Sequence, residues 1–379
     1  MKNYGYKPFI LAVLLLLSAG LLSGCLFEGE QSLEKMDTPE EAVTTTPDPS
    51  SDEPQPEGEG ENTEGEDGEG AEGTEGTEGT EGTESDASSA TVAREVYLMD
   101  ANGMVAPQTL DLPASEEVAT QALEYMVKDG PVTNLLPNGF EAVLPAGTEI
   151  LGVNAKEDGT LVVDVSEEFK NYAAEDEEKI LQAMTYTLTQ FENVKRIKLW
   201  INGHEQQVMP VDGTPISKGV SRADGINHSV GNNTDIMNSE AVTVYFPAQN
   251  GEQVYQVPVT TRVAKGSDEY TAMVQALLEG PELGSALMNP FNEGAQLVNS
   301  KLENGVLTVS FNENILTSVD EQPSLSDAAL ASLVMSLTDQ ADVESVEVHV
   351  DGTEQVFNEA GEPLAEPVSR QDINGAEAM

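Results

Sequence analysis

Apolar and polar positions alternate with period two along Leu161-Val162-Val163-Asp164-Val165 and along Ile197-Lys198-Leu199-Trp200-Ile201. That period belongs to a strand with one covered face, and it places Leu161, Val163 and Val165, like Ile197, Leu199 and Ile201, on the inward side. Glu95 to Met99 and Val105 to Leu112 predict two more strands. A period near 3.6 takes over elsewhere: Leu330, Leu333, Val334 and Leu337 form one apolar helix face, with Ser326 as the expected N-cap. Another helix is expected from Ser115 to Gly130-Pro131, with Glu116 and Glu117 favourable in its first turn, and its counterpart from Ser267 to Gly280-Pro281. Asp158-Gly159 and Asn304-Gly305 sit between strand-like runs and predict two-residue hairpins, whose central positions both need positive φ. Asn202-Gly203 and Asp351-Gly352 predict a closing hairpin each.

These elements occur twice. "ALEYMVKDGP" (122 to 131) is echoed by "MVQALLEGP" (273 to 281), and "KEDGTLVVDVSEEF" (156 to 169) by "LENGVLTVSFNENI" (302 to 315). "TLTQFENVKRIKLWINGHEQ" returns as "SLTDQADVESVEVHVDGTEQ", and "PISKGVSRADGIN" as "PLAEPVSRQDIN", all in the same order. The pattern is a tandem duplication, with domains at 94–227 and 241–374, a join at 228–240 and a tail at 375–379. Each copy reads ββαββαββ: an α+β, two-layer domain with two helices on one face of a mostly antiparallel sheet.

The N-terminal quarter follows different rules. Lys2 and Lys7 precede an apolar run from Phe9 to Leu22, and Leu22-Ser23-Gly24-Cys25 follows, so residues 1–25 read as an export signal. The segment resembles a bacterial lipoprotein signal. That resemblance implies a diacylglycerol-modified Cys25 as the mature N-terminus and a chain held on the extracytoplasmic side of the cell membrane. An uncleaved membrane anchor is the alternative, since about 20 apolar residues span a bilayer. Residues 26–93 are Glu, Gly, Thr, Ser and Pro with a repeated Glu-Gly-Thr, too poor in apolar area to offset backbone entropy. They predict a disordered acidic tether spanning roughly 45 Å as a flexible coil, and longer through self-repulsion.

Charge removes one class of function. Sixty-eight Asp and Glu against 17 Lys and Arg give a formal net charge of −51, which repels nucleic-acid phosphates. Cys25 is the only cysteine, so no disulfide framework exists. His204, His228 and His349 lack metal-ligand spacing, no phosphate-cradling or calcium loop occurs, and neither enzyme activity nor a cofactor is expected. The carboxylates Asp164, Glu167 and Glu168 cluster in copy one, but Asp164 and Glu168 become Ser310 and Asn314 in copy two. They are expected on a solvated strand face rather than in an active site. The outward residues Arg196, Lys198 and Trp200 stand out from the acidic background as a candidate partner-binding face, since Trp and Arg dominate binding hot spots. The recurring Ser221-Arg222 and Ser369-Arg370 are expected to lock each domain's closing segment through an ion pair.

The helix ending in "GP", "LPAGTEILGV" (144 to 153), "DGTLVVDVSEEF", "TYTLTQFENVKRIKLWINGHE" and the closing "SR" together resemble the GerMN domain. The resemblance covers 94 to 374. Copy two departs more, with "NPFNEGAQLV" and "SFNENI" at the matching positions. It implies a non-enzymatic role at the membranes enveloping the forespore, in assembly of the channel between mother cell and forespore, with a protein partner in that envelope complex. Domains of this kind are also similar to ring-building motifs and occur in lipoproteins of bacteria that make no spores. A cell-wall-associated or solute-binding lipoprotein, with its site between the two domains, is the alternative.

Overall fold

The computed structural model describes residues 91–229, 236–266, 268–319 and 322–377. Strands β1 (Thr91–Asp100) and β2 (Val105–Pro113) form an antiparallel hairpin. The Asp100 carboxylate closes its turn by accepting from the backbone N–H groups of Asn102 and Met104, each at 2.8 Å. A short β3 (Phe140–Glu141) joins the free edge of β1. Helix α1 (Val118–Glu124) is shorter than the sequence pattern predicts. Met126 O accepts from the Val143 and Leu144 N–H groups, and Lys128 N–H donates to Leu144 O, so the chain leaves the helix to pair with this segment.

A second sheet runs β4 (Ile150–Ala155), β5 (Thr160–Val165), β6 (Arg196–Ile201) and β7 (His204–Glu205), in that order. Its outer pairs are antiparallel, whereas β5 and β6 are parallel because α2 (Glu177–Leu188) carries the chain back between them. Domain one therefore holds two sheets rather than one. Helix α2 packs on the β1–β2 hairpin on one side and on β6 on the other, and nearly all its residues are buried. Domain two repeats the plan with β8 (Ser239–Asn250), β9 (Gln253–Ala264), α3 (Glu269–Glu279), β10 (Leu297–Glu303), β11 (Val306–Phe311), α4 (Asp327–Leu337) and β14 (Ser345–Val350). It inserts a small hairpin, β12 (Thr317–Val319) and β13 (Gln322–Ser324), and ends in β15 (Val368–Ser369) and α5 (Arg370–Glu377).

Ser326 forms its expected cap, whereas α1 starts only at Val118, so Glu116 and Glu117 precede its first turn instead of lying in it. Ser326 accepts from Ala329 N–H at 3.1 Å, and Asp268 accepts from Thr271 N–H at 3.1 Å. Every residue from Ala329 to Leu337 is buried, not only the predicted stripe, because α4 is enclosed by hairpin and sheet together. The turns divide. Asn304 (φ 52°) and Gly305 (φ 82°) make the two-residue turn that the sequence predicts. At Asp158-Gly159 only the glycine has positive φ, and Lys156 N–H closes on Thr160 O at 2.8 Å, giving a three-residue loop. Asn202-Gly203 joins β6 to β7, but after Asp351-Gly352 no returning strand forms, and β14 pairs with β15 instead.

Two hydrophobic cores result. One is built around Leu161, Val163, Phe169 and Met184, the other around Leu307, Val309, Phe311 and Leu333. The first also takes in Ala248, Tyr255 and Val257 from domain two. The Tyr255 ring meets Phe140 edge-on at 4.8 Å, and its hydroxyl donates to Asp100 at 2.8 Å.

Candidate functional site

The seam between the domains is built from equivalent residues of the two copies. The "SRAD" and "SRQD" segments fold alike: Ser221 and Ser369 each bond the carboxylate three residues on, Asp224 and Asp372, through both N–H and hydroxyl. That local box leaves the intervening arginine free to project. Arg222 donates through Nε to Thr189 and through Nη1 to Asp339, which belongs to domain two. Arg370 of domain two reaches Glu95 of domain one at 3.5 Å and Asp339 at 3.7 Å. Arg222–Asp339 and Arg370–Glu95 thus cross the seam, whereas Arg370–Asp339 stays within domain two as the expected lock; the cross-seam choice is one that no local pattern could disclose.

Tyrosines complete the cluster. The Tyr97 and Tyr245 hydroxyls, fully buried and at matching positions in the duplication, meet at 3.2 Å. Tyr97 N–H bonds Thr187 and Tyr245 N–H bonds Ser336, again at matching positions. Arg222 lies over the Tyr186 ring at 4.6 Å and Arg370 over the Tyr245 ring at 5.2 Å. Self-pairing of equivalent residues marks an internal pseudo-twofold axis, as in an isologous dimer. Burial pushes the phenols of Tyr97 and Tyr245 up, so both stay neutral hydrogen-bonding groups. Burial opposes the charge on Arg222, but the Asp339 carboxylate together with the Tyr97 and Tyr245 phenols outweighs it and raises the guanidinium's pKa. No local pattern marks Glu95, Tyr97, Tyr186, Tyr245 or Asp339 as members of this cluster; the recurrence of Ser-Arg-x-Asp is the signal the sequence offers.

The carboxylates of "DVSEEF" separate. Asp164 is buried at 6 % exposure, where a solvated face was expected, and both its oxygens accept from Gly203 N–H at 3.0 Å. It is a structural acceptor for the Asn202-Gly203 turn. Thr160 and Val162 are buried with it, because β5 is an inner strand flanked by longer side chains on β6. Glu167 pairs with Lys170, and Glu168 is exposed. Among the described residues the most enclosed carboxylate lies elsewhere, in a run of acids that carries no motif. Glu177, at 1 % exposure, accepts from the N–H groups of Val211 (3.1 Å), Asp212 (2.7 Å) and Thr214 (2.9 Å) and from Tyr172 Oη (2.8 Å). Desolvation works against its charge, yet these donors prevail and hold its pKa down to about 2.

On the outer sheet face Arg196 is exposed and its guanidinium donates to Lys218 O, Lys198 is half-buried and paired with Glu205, and Trp200 lies half-buried beside Asp164. Trp200 Nε1 is buried without a hydrogen-bond partner. Cys25 and residues 26–90 lie outside the described residues, while Thr91–Ala93, expected in the tether, belong to β1 because they pair with Asp111–Pro113. A cleft of about 690 Å³ opens beside the join, lined by Met104, Asn227, His228, Phe246, Arg262 and Glu279 among others.

Fold and seam define a duplicated α+β protein whose two copies are docked through matching hairpins. The family model described as "Germane: Sporulation and spore germination" matches residues 95–207 and 243–356. The spore germination protein GerM of Bacillus subtilis (strain 168) is 45 % identical over 367 residues, 96 % of either chain. The solved tandem GerMN domains of the sporulation protein GerM from B. subtilis align at 49 % identity and a TM-score of 0.69, covering 74 % of this chain and 98 % of that one. The solved first GerMN domain of the same protein aligns at 60 % identity and a TM-score of 0.34 over 35 % of this chain and 98 % of that one. The chain belongs to the Germane family of sporulation and germination proteins.

Proposed function

We propose that this protein is a membrane-tethered interaction module of sporulation and spore germination. In this reading Cys25 carries the lipid anchor, residues 26–90 hold the head clear of the membrane, and the head binds a protein of an envelope complex. The observation that carries it is the outer sheet face of domain one. There a chain of net charge −51 places Arg196 and Lys198 beside its only tryptophan, whose buried Nε1 has no acceptor of its own. The likeness to a spore germination protein over nearly the full length of both chains supports the cellular setting. Deleting the gene is expected to lower the yield of germination-competent spores, and Cys25→Ala to move the protein from the membrane to the soluble fraction. Lys198→Glu combined with Trp200→Ala is expected to abolish in-cell crosslinks to the partner while the folded protein persists; unchanged crosslinks would assign the contact to another face. The cleft beside the join supports a second reading, a small-solute or cell-wall-fragment site. Ligand-dependent thermal stabilisation of the protein by muropeptides would favour it.

A further inference from the structure

Ten of the 17 Lys and Arg residues fall in 94–227 and four in 241–374. Half of those ten gather at one end of the β4–β7 sheet. Lys195 lies over the Gly159 turn, where a Cβ added to the glycine would meet its side chain at 2.9 Å. Arg196 and Lys198 follow on β6 opposite Thr160 and Val162. Lys218 sits on the neighbouring segment, whose Val220 pairs with Ile197. Lys156 lies near enough to act electrostatically on Asp158 and Glu205, the carboxylates that Arg196 and Lys198 also act on.

Domain two repeats this surface with the charge inverted. The pairings Val306↔Ser345, Thr308↔Glu347 and Val346↔Val368 repeat Thr160↔Arg196, Val162↔Lys198 and Ile197↔Val220. In that register Lys195 becomes Glu344, whose side chain covers the Gly305 turn as Lys195 covers Gly159. Lys198 becomes Glu347, and Lys218 becomes Glu366. Lys195, Lys218, Glu344 and Glu366 are exposed; Lys198 and Glu347 are half-buried. Opposite charges at matched positions of two homologous sheets are complementary without any rearrangement of the backbone.

The two faces cannot meet within one chain. The domains dock through their hairpins, and α2 and α4 separate each hairpin from its sheet, so the outer sheet faces point away from the seam. We propose that the sheet face of domain one docks on the sheet face of domain two of a second copy, with Lys195, Lys198 and Lys218 set against Glu344, Glu347 and Glu366. The contact is heterologous, so each copy uses one face for one neighbour and the other face for the next. Only a local cationic patch can bring together chains that otherwise repel one another, which also makes the contact salt-sensitive. The inference rests on the reading of the domain-one face as an interaction surface and names its occupant.

The test is sedimentation velocity of the full-length chain in mild detergent over a range of protein concentrations. At low salt, concentration-dependent association is expected, weakening about tenfold or more between roughly 50 and 300 mM salt. Lys195→Glu, Lys198→Glu and Lys218→Glu together should abolish it. Glu344→Lys, Glu347→Lys and Glu366→Lys together should abolish it too. Mixing the two triple variants should restore it, because each then presents only one sign of charge. A wild-type chain that stays monomeric at low salt overturns the proposal, as does association unaffected by either reversal. A monomeric chain whose Lys198→Glu and Trp200→Ala variant still loses its envelope crosslink would remove self-docking and leave the proposed function standing.

Discussion

The two domains share a frame and differ in how they tie it together. In domain one the loop from Val208 to Pro215 is held to the start of α2 by a buried carboxylate, Glu177, which accepts three backbone N–H groups and one phenol. In domain two the matching loop, Phe357 to Pro363, is held by backbone pairing. Leu325 N–H donates to Phe357 O at 2.9 Å and Phe357 N–H to Pro323 O at 3.1 Å, next to the inserted β12–β13 hairpin. At the position of Glu177 stands Ser326, an ordinary helix cap. The first loop is thus fixed by a buried carboxylate that titrates, and the second chiefly by peptide groups, with only the exposed Asp327 carboxylate added on Glu359 N–H at 3.2 Å, so acid is expected to loosen the first loop more than the second.

The largest expected effect breaks this contrast directly. Glu177→Ala leaves three N–H groups and a hydroxyl without their acceptor and should cost about 3–5 kcal/mol, read by chemical denaturation. The same carboxylate predicts a pH dependence. Its folded pKa, about 2, lies below the ordinary value of 4.5, so its contribution is fully present above that ordinary value and is lost as pH falls through about 2. Acid titration of the wild-type protein should therefore weaken domain one across that window, and Glu177→Ala should flatten that part of the profile.

Asp339→Ala is the next largest. It leaves Arg222 and Arg370 without the carboxylate they share across the seam, at a cost of about 3 kcal/mol. Because that carboxylate couples the domains, the wild-type protein should unfold in one transition by calorimetry and the variant in two. The smallest effect sharpens the comparison. Ser326→Ala removes only a cap, about 1 kcal/mol, and should leave the acid profile unchanged.

Much of this architecture is legible in the chain. The duplication, the alternating strands, the Ser326 cap and the Asn304-Gly305 turn follow from local chemistry that neighbouring residues dictate. The enclosure of α4 is also visible in retrospect, since "AALASLVMSL" carries small or apolar residues on every side. Reading only its Leu and Val stripe hides this. Asp164 and Glu177 are different. Each sits among other acids, and nothing in "VVDVSEEF" or "AEDEEKIL" says which carboxylate will face backbone donors from residues tens of positions away. The repeated Ser-Arg pairs point to ion-pairing arginines, and Arg370 does meet Asp339 in its own domain, but Asp339 for Arg222 and Glu95 for Arg370 lie in the opposite domain, 117 and 275 positions along the chain, beyond the reach of any window.

The sequence by itself determined the elements, their order and their twofold repetition, because periodicity and turn chemistry act over a few residues. It also determined which residues stand at matched positions in the two copies, and so the inversion of charge between their sheet faces. Only the tertiary structure decided which matched residues touch. Placing the hairpins against each other brought Tyr97 onto Tyr245 and sent Arg222 and Arg370 across the seam. The physical reason is that a buried polar group takes whatever partner packing sets within about 3 Å, and that choice belongs to the docking of two surfaces rather than to either strand of sequence.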